Sequence, residues 1–191
     1  MDGSQSLLPL PAAESMLWTT VLYAAMLVNP SPTFYGLVSW LLMLCSGTVG
    51  VGVIIRNYKG IAIAAKSSPV LGYNSIEMLE AQACLVGLQL AIDVGISSVV
   101  LDSNAKGVVC LLSNHVVPCT EMGAIICSSL ALGTSVDLLL VEAVHRGANS
   151  VAYGLAQLAH SLDGHVVWLD DLSSNIARLA HLDFISLVCS I

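Results

Sequence analysis

The chain has 191 residues, enough for one domain with a sizeable core and too few for two comfortable ones. It is 56% hydrophobic and only 10% charged, against roughly 25% charged residues in an ordinary soluble domain. Its formal net charge is −7, and no two of its six basic residues adjoin. This composition excludes a protein that binds nucleic acid mainly through clustered Lys and Arg contacts to phosphates.

The hydrophobic excess lies near the N-terminus, where residues 15–55 include no charged side chain. Residues 15–28 and 33–44 are apolar runs separated by a segment with two prolines, and each run is shorter than the ~20 residues of a membrane-spanning helix. We predict an apolar or disordered N-terminal extension over residues 1–32. Association with a membrane through residues 15–44 is an open alternative.

The cysteines and the first residues of the chain indicate whether the protein is intracellular or secreted. The six cysteines form no CxxC pair and no zinc-ligand spacing with histidine. Most lie inside apolar runs, where a free cysteine behaves as a small hydrophobic residue, so we expect reduced, buried side chains. The start of the chain lacks the positively charged region of a secretory signal. Both features favour an intracellular protein.

From Val49 onward the hydrophobic pattern indicates a hairpin of two strands. Val49–Ile55 alternates Gly with β-branched residues, which predicts a strand. The polar segment Arg56–Gly60 predicts a hairpin loop in which Gly60 adopts a positive φ. Ile61–Ala65 is then the returning strand.

The strongest helix signal covers Asn74–Val94. Asn74 is the predicted N-cap, Glu77 lies three residues later in capping-box register, and Gly95 ends the helix. The later predicted elements, in chain order, are a strand from Val99, a helix opened by Ser103-Asn104, a helix capped by Thr120, a strand over Val136–Val144 and a helix from Asn149 to Ser161. A hairpin followed by alternating helices and strands predicts a mixed sheet covered by helices.

Five short motifs, in this order, resemble the plant-type, retroelement-related ribonuclease H type 1 (RNase H) family. They are Gly50–Asn57, Leu79–Leu88, Val99–Ser103, Val144–Ala156 and Val166–Leu169. No single motif is specific, and the resemblance depends on all five being in register. It implies an α/β fold with a mixed five-stranded sheet flanked by helices over residues 33–169, and a C-terminal tail over residues 170–191. It also implies a first strand ahead of Val49, near Leu41.

Members of that family hydrolyse the RNA strand of RNA–DNA hybrids. Four acidic positions hold two Mg²⁺ ions roughly 3.5–4 Å apart, one of which activates the attacking water while the other stabilises the leaving oxygen. Carboxylates suit this role because Mg²⁺ prefers hard, charged oxygen ligands. The resemblance therefore implies Mg²⁺ as the cofactor and an RNA–DNA hybrid, or another nucleic acid, as the partner.

Only one of the four acidic positions keeps its carboxylate in this chain. The first position falls near Leu41, and the second matches Glu80, which is acidic. The third and fourth match Asn104 and Tyr153, which are catalytic positions of the family with neutral residues here. Asp102, two residues before Asn104, is a weak candidate for a replacement metal ligand.

The resemblance also implies nucleic-acid contacts for His145, Arg146 and Asn149, although polar residues suit any surface loop. Asn104 has its own structural alternative, as a helix cap. Because neutral ligands do not offset the charge of two cations, we expect impaired Mg²⁺ binding and weak or lost hydrolysis. A membrane-associated or partner-binding protein that uses the fold as a scaffold is the alternative function. The uncharged run near Leu41 would also fit translation of a non-coding stretch.

Deletion of residues 1–32 tests the predicted domain boundary. These residues precede every motif, so the shortened chain should retain cooperative thermal unfolding, followed by circular dichroism, and should be more soluble. Deletion of residues 1–45 should abolish folding, because it removes the first strand and leaves its neighbours without ladder partners. Loss of folding in the shorter deletion would show that the boundary is wrong.

Overall fold

The computed structural model describes residues 35–45, 48–57, 60–70, 75–144 and 150–169, all within the unit Thr33–Ser190. The strands in these ranges are β1 (Tyr35–Cys45), β2 (Thr48–Arg56), β3 (Ala62–Val70), β4 (Ser98–Ser103), β5 (Leu138–Ala143) and β6 (Val166–Leu169). The helices are α1 (Ile76–Asp93), α2 (Lys106–Ser113), α3 (Glu121–Ser135) and α4 (Ser150–Leu158), and a 3-10 turn over Ala159–Ser161 follows α4.

The strands form one mixed sheet in the order β5-β4-β1-β2-β3-β6. β1 pairs antiparallel with β2 and parallel with β4, and β4 pairs parallel with β5. The other two pairs, β2–β3 and β3–β6, are antiparallel. The expected mixed sheet with flanking helices is confirmed, but the expected number of five strands is wrong. The sixth strand, β6, has only four residues, and its pairing with β3 makes it part of the sheet.

The two faces of β2 pack against different helices. Val51, Val53 and Ile55 belong to the larger core, together with residues of α1, α2 and α3. Ile54 belongs to a second core with residues of α4, including Leu155. A strand buried on both faces loses the polar alternation of a surface strand, which explains why every residue from Val49 to Arg56 is buried.

Two glycines of β2 let the backbone of α4 lie directly on the strand. A Cβ atom on Gly52 would lie 2.0 Å from the carbonyl oxygen of Ala152, and one on Gly50 would lie 1.9 Å from that of Ala156. Any side chain at these positions would overlap backbone atoms that have no rotamer to change. The alternation of Gly with β-branched residues in β2 therefore reflects close helix–strand packing on one face and ordinary apolar packing on the other.

The hairpin after β2 forms as predicted, but the N-cap and the capping box predicted for α1 do not. Gly60 has φ 75°, and the backbone N–H of Asn57 donates to the carbonyl of Ile61, so the expected hairpin is confirmed. The predicted cap of α1 is wrong: Ser75 is the N-cap, and its Oγ accepts from the N–H of Met78 at 3.2 Å. A capping box from Ser75 would require Glu at position 78, so Glu77 is out of register.

The described cysteines only partly follow the expectation of buried side chains. Cys84 is buried on α1, and burial raises the pKa of its thiol to about 12 against the opposing effect of a hydrogen bond with Ser129. Cys110, Cys119 and Cys127 are free and exposed, so the expectation is wrong for them. An apolar run on a helix has a face that the core does not cover, and sequence composition alone does not show which residues lie on it.

No helix within the described ranges is long and apolar enough to cross a membrane. Of the apolar region 15–44 that suggested membrane association, residues 35–44 are part of β1, inside the sheet. The rest of that region, the proposed extension over residues 1–32 and the proposed tail over residues 170–191 lie outside the described residues.

The substitution Gly52→Ala tests the contact between α4 and β2. We expect it to lower the free energy of unfolding in urea by at least about 2 kcal/mol, because the added methyl group overlaps the Ala152 carbonyl. Gly154→Ala is the matched control, because a Cβ on Gly154 of α4 meets no atom within 4 Å. The control should be neutral or stabilising by up to about 1 kcal/mol, since alanine favours helix. Equal effects of the two substitutions would contradict the packing.

Candidate functional site

Asn104 lies directly after β4 and does not cap the following helix. The N-cap of α2 is Ala105, and no side chain caps that helix. Instead, Ser103 Oγ accepts from the N–H of Ala105 at 3.0 Å. Within the described part of the chain, Oδ1 of Asn104 is buried and has no hydrogen-bond partner. The interpretation of Asn104 as a helix cap is therefore wrong, and its side chain offers a buried acceptor, which is costly to leave unused.

The first and third acidic positions that the resemblance implies, Leu41 and Asn104, lie at the same level on neighbouring strands. The parallel ladder of β1 and β4 ends at the pair Trp40 and Ser103. The next residues along the two strands are Leu41 and Asn104. Because parallel neighbours advance together, the backbones of these two positions are adjacent at one end of the β1–β4 ladder.

The backbone of Tyr153 on α4 lies beside the same part of the sheet as Leu41. Leu41 pairs with Gly52, and Gly52 is the residue whose Cβ would overlap the carbonyl oxygen of Ala152. Tyr153 follows Ala152, so the contact between α4 and β2 fixes its backbone near that of Leu41. Its side chain is half-buried against the second core, and its hydroxyl accepts from Gln157 Nε2 at 3.5 Å.

Glu80 approaches from the other face of the sheet. It lies in the second turn of α1, whose residues Leu88 and Ala81 belong to the core on the face opposite α4. The side chain of Glu80 is partly buried, and its Oε2 atom is buried. The structure thus places Leu41, Asn104 and Tyr153 at one level by backbone position. The convergence of Glu80 with them stays a prediction.

Asp102 belongs to a cluster of ionisable side chains that the sequence does not predict: Asp102 and Arg56 are buried, and Glu142 is partly buried. Asp102 lies opposite Glu142 in the parallel ladder of β4 and β5, and its side chain is only 3% exposed. Arg56 is fully buried as the last residue of β2, so its assignment to the hairpin loop is wrong. Burial is the main cause that raises the pKa of Asp102 to about 7; Glu142 raises it further, and the Arg56 guanidinium lowers it. The sequence feature that could have predicted the burial of Arg56 is its position directly after the β-branched residues of β2.

A comparison with protein families identifies the chain. The family model described as reverse transcriptase-like matches residues 44–159. The chain belongs to this family. The match ends within the 3-10 turn after α4, so it includes most of the elements described above. No curated protein matches the chain.

Solved structures show the fold of this family member. One similar structure is RNase H1 from the halophilic archaeon Halobacterium salinarum NRC-1, with TM-score 0.59 and 19% identity over 66% of this chain and 98% of that chain. An N-terminal RNase H domain from Mycobacterium tuberculosis has TM-score 0.61 and 18% identity over 67% and 94% of the two chains. LC11-RNase H1 in complex with an RNA/DNA hybrid has TM-score 0.57 and 18% identity over 65% and 95%. The chain has the RNase H-like fold, which confirms the resemblance.

The described residues at the positions that the resemblance implies do not supply the carboxylates of a two-ion centre. Within the ranges that the structure describes, no group of three or more His, Cys, Asp or Glu side chains is placed to hold a metal ion. Asn104 provides a buried neutral oxygen where the resemblance implies a carboxylate. His145, Arg146 and Asn149 lie outside the described residues. No catalytic step is therefore assigned to Mg²⁺ in this chain.

The elevated pKa of Asp102 predicts a pH dependence of stability. The pKa is about 7 in the folded protein, against an ordinary value of 3.8, so the native state holds this proton more tightly between those limits. The stability that the bound proton contributes is complete below about pH 4 and is lost as the pH rises through about 7.

The substitution Asp102→Asn isolates this contribution, because the amide stays neutral at every pH. The free energy of unfolding of the variant minus that of the natural chain should increase from about pH 4 to about pH 7 and then level off. The change should reach a few kcal/mol, since a pKa difference of one corresponds to about 1.4 kcal/mol. Urea denaturation at a series of pH values measures it, with the exposed Asp93→Asn as the control for lost charge. A difference independent of pH would contradict the buried, neutral Asp102.

Proposed function

We propose that this chain is a nucleic-acid-binding RNase H-like domain whose ligand is an RNA–DNA hybrid, and that its Mg²⁺-dependent hydrolysis of the RNA strand is weak or lost. The observation that carries the proposal is the buried amide of Asn104 at the end of β4, where the resemblance implies a carboxylate. Membership of the reverse transcriptase-like family supports the nucleic-acid part. The neutral amide supports the loss of catalysis.

The electrostatic argument concerns the two metal ions. Two unit charges 4 Å apart repel by about 4 kcal/mol near a protein surface, and two dications repel about fourfold more strongly. The family offsets this repulsion with a cluster of carboxylates. In this chain Glu80 is the only matched carboxylate, while Asn104 brings an amide oxygen and Tyr153 a phenol. An amide oxygen can coordinate a cation, but it does not compensate the charge.

Asp102 is a weak substitute for the missing carboxylates. Its side chain is almost completely buried, and its ionised form is disfavoured by burial and by Glu142. The charge that it carries when ionised interacts with the buried guanidinium of Arg56. A metal ion at Asp102 would have to compete with that arginine. We propose that Asp102 serves the buried cluster and contributes little to metal binding.

Recognition of a hybrid does not require the metal ions. An A-like duplex is recognised through its shape and through sugar and phosphate contacts in its wide minor groove. The LC11-RNase H1 structure contains an RNA/DNA hybrid, which supports the same ligand for this chain. We propose His145, Arg146 and Asn149 as contacts. With only six basic residues in the chain, binding should be weak and should depend only shallowly on salt.

A cleavage assay on a labelled RNA–DNA hybrid in Mg²⁺ tests the catalytic part. The natural chain should show no useful rate, whereas the triple variant Leu41→Asp, Asn104→Asp and Tyr153→Asp should gain chelator-sensitive cleavage, because it restores the carboxylates. Adding Glu80→Gln to the triple variant should abolish the gain. Adding Glu77→Gln, an exposed acid on the same helix, is the matched control and should leave the gain unchanged.

The outcomes separate the catalytic and binding parts of the proposal. Robust cleavage by the natural chain that a chelator stops would refute the loss of activity. Binding is measured on the natural chain by fluorescence anisotropy, with a hybrid and a DNA duplex of the same sequence. Equal affinity for the two duplexes, or none for either, would refute the hybrid as the ligand.

A further inference from the structure

A cavity of about 370 Å³ lies beside the edge strand β5, where the C-terminal ends of α2 and α3 meet. Its volume falls in the range of small-molecule sites, roughly 300–1,000 Å³. Five of its lining residues are aliphatic: Leu112, Leu130, Leu138, Leu140 and Val141. The polar lining residues are Ser113, His115, Thr134 and Asp137. An apolar wall with a few polar groups is the usual composition of a ligand site.

Two of the polar lining residues adopt a backbone conformation that favours glycine. Among the described residues, only His115 (φ 54°) and Asp137 (φ 45°) have a positive φ without being glycine. Each follows the C-cap of its helix, α2 and α3 respectively. In α1 the same position is occupied by Gly95, at φ 75°. Glycine would fit this conformation at lower cost, while His and Asp are among the other residues that adopt it most often. Both helices therefore carry a polar side chain at the cavity, where glycine would leave none.

The electrostatic environment of the cavity is negative. The C-terminal end of a helix carries a partial negative charge from its unpaired carbonyl groups. Neither α2 nor α3 has a basic residue in its last turn, and none of the residues that line the cavity is Lys or Arg. Asp137 adds a carboxylate directly after α3, where an acidic side chain is electrostatically unfavourable. At α2 the carbonyls of Cys110, Leu111 and Leu112 accept hydrogen bonds from the N–H groups of Asn114, Val116 and His115. The Asp137 carboxylate beside the end of α3 therefore supplies the negative charge at the cavity, and no Lys or Arg lines it.

We propose that this cavity binds a small organic cation, an ammonium group on an apolar body. The aliphatic wall takes the apolar body, and the Asp137 carboxylate at the end of α3 attracts the ammonium group. Ser98 Oγ donates to Oδ2 of Asp137 at 3.4 Å and holds the carboxylate at the end of α3. The cavity shares no residue with the positions proposed for nucleic-acid binding, so this site goes beyond the proposed function.

The test uses three six-carbon probes that differ only in their head group. Hexylammonium, hexan-1-ol and hexanoate are titrated into the full ¹⁵N-labelled chain, and amide shifts are followed by NMR. Hexylammonium should shift the amides of residues 112–115 and 133–141 in a saturable way. Hexan-1-ol should bind more weakly and hexanoate should not bind, because the negative field opposes a carboxylate. Equal binding of all three probes, or no saturable shift at these amides, would overturn the proposal.

Asp137→Asn tests the charge without changing the backbone, because asparagine also tolerates the left-handed conformation. Because Asp137 is exposed, the variant should bind hexylammonium about two- to fivefold more weakly, while its affinity for hexan-1-ol stays the same. Asp93→Asn is the matched control: it removes an exposed carboxylate from the end of another helix, α1. It should leave both affinities unchanged. An equal loss of hexylammonium binding in both variants, or none in Asp137→Asn, would show that Asp137 does not form the site.

Discussion

The close contact between α4 and β2 is the constraint on which the arrangement of this domain depends. Gly50 and Gly52 have no side chains, so the helix backbone lies directly against the strand. The contact buries the second core around Ile54 and Leu155. It also sets the position of Tyr153 along the sheet, because Tyr153 follows the residue that touches Gly52. Gly50 and Gly52 thus determine both how α4 packs on the sheet and where Tyr153 lies along it.

The charged cluster on β2, β4 and β5 explains how the fold persists while the acidic site of the family is reduced. Arg56 is fully buried, and Asp102 and Glu142 are neighbours across two strands. Arg56 is the one cation of this cluster, so removing it would leave Asp102 and Glu142 without an opposite charge in a medium of low dielectric constant, which is destabilising. By contrast, exchanging a metal-binding carboxylate for an amide at Asn104 removes charge without leaving a buried cation unpaired. The buried acid Asp102 and the residue at position 104 are therefore subject to different physical constraints.

Asn104 and the cavity beside β5 each contain a polar group in a locally unfavourable setting. At Asn104 the conflict is a buried oxygen without a hydrogen-bond partner among the described residues. At His115 and Asp137 it is a positive φ at residues other than glycine, with an acid at a helix end that favours cations. Neither conflict is required by the packing of the core. At the cavity, the proposed ammonium ligand would supply the opposite charge that the end of α3 favours.

The sequence by itself determined the elements whose signals are local. The β2–β3 hairpin follows from Gly60 and its polar neighbours, and the end of α1 follows from Gly95, because glycine adopts a positive φ without the steric cost of a side chain. The resemblance also supplied the family and the mixed sheet. Tertiary structure decided the rest: β6 became a strand by pairing with β3, and Arg56 changed from a predicted loop residue to a buried one because β2 is central. It also removed Asn104 from its predicted cap, since Ser103 binds the neighbouring N–H instead. These outcomes depend on neighbours distant in sequence, which no local pattern records.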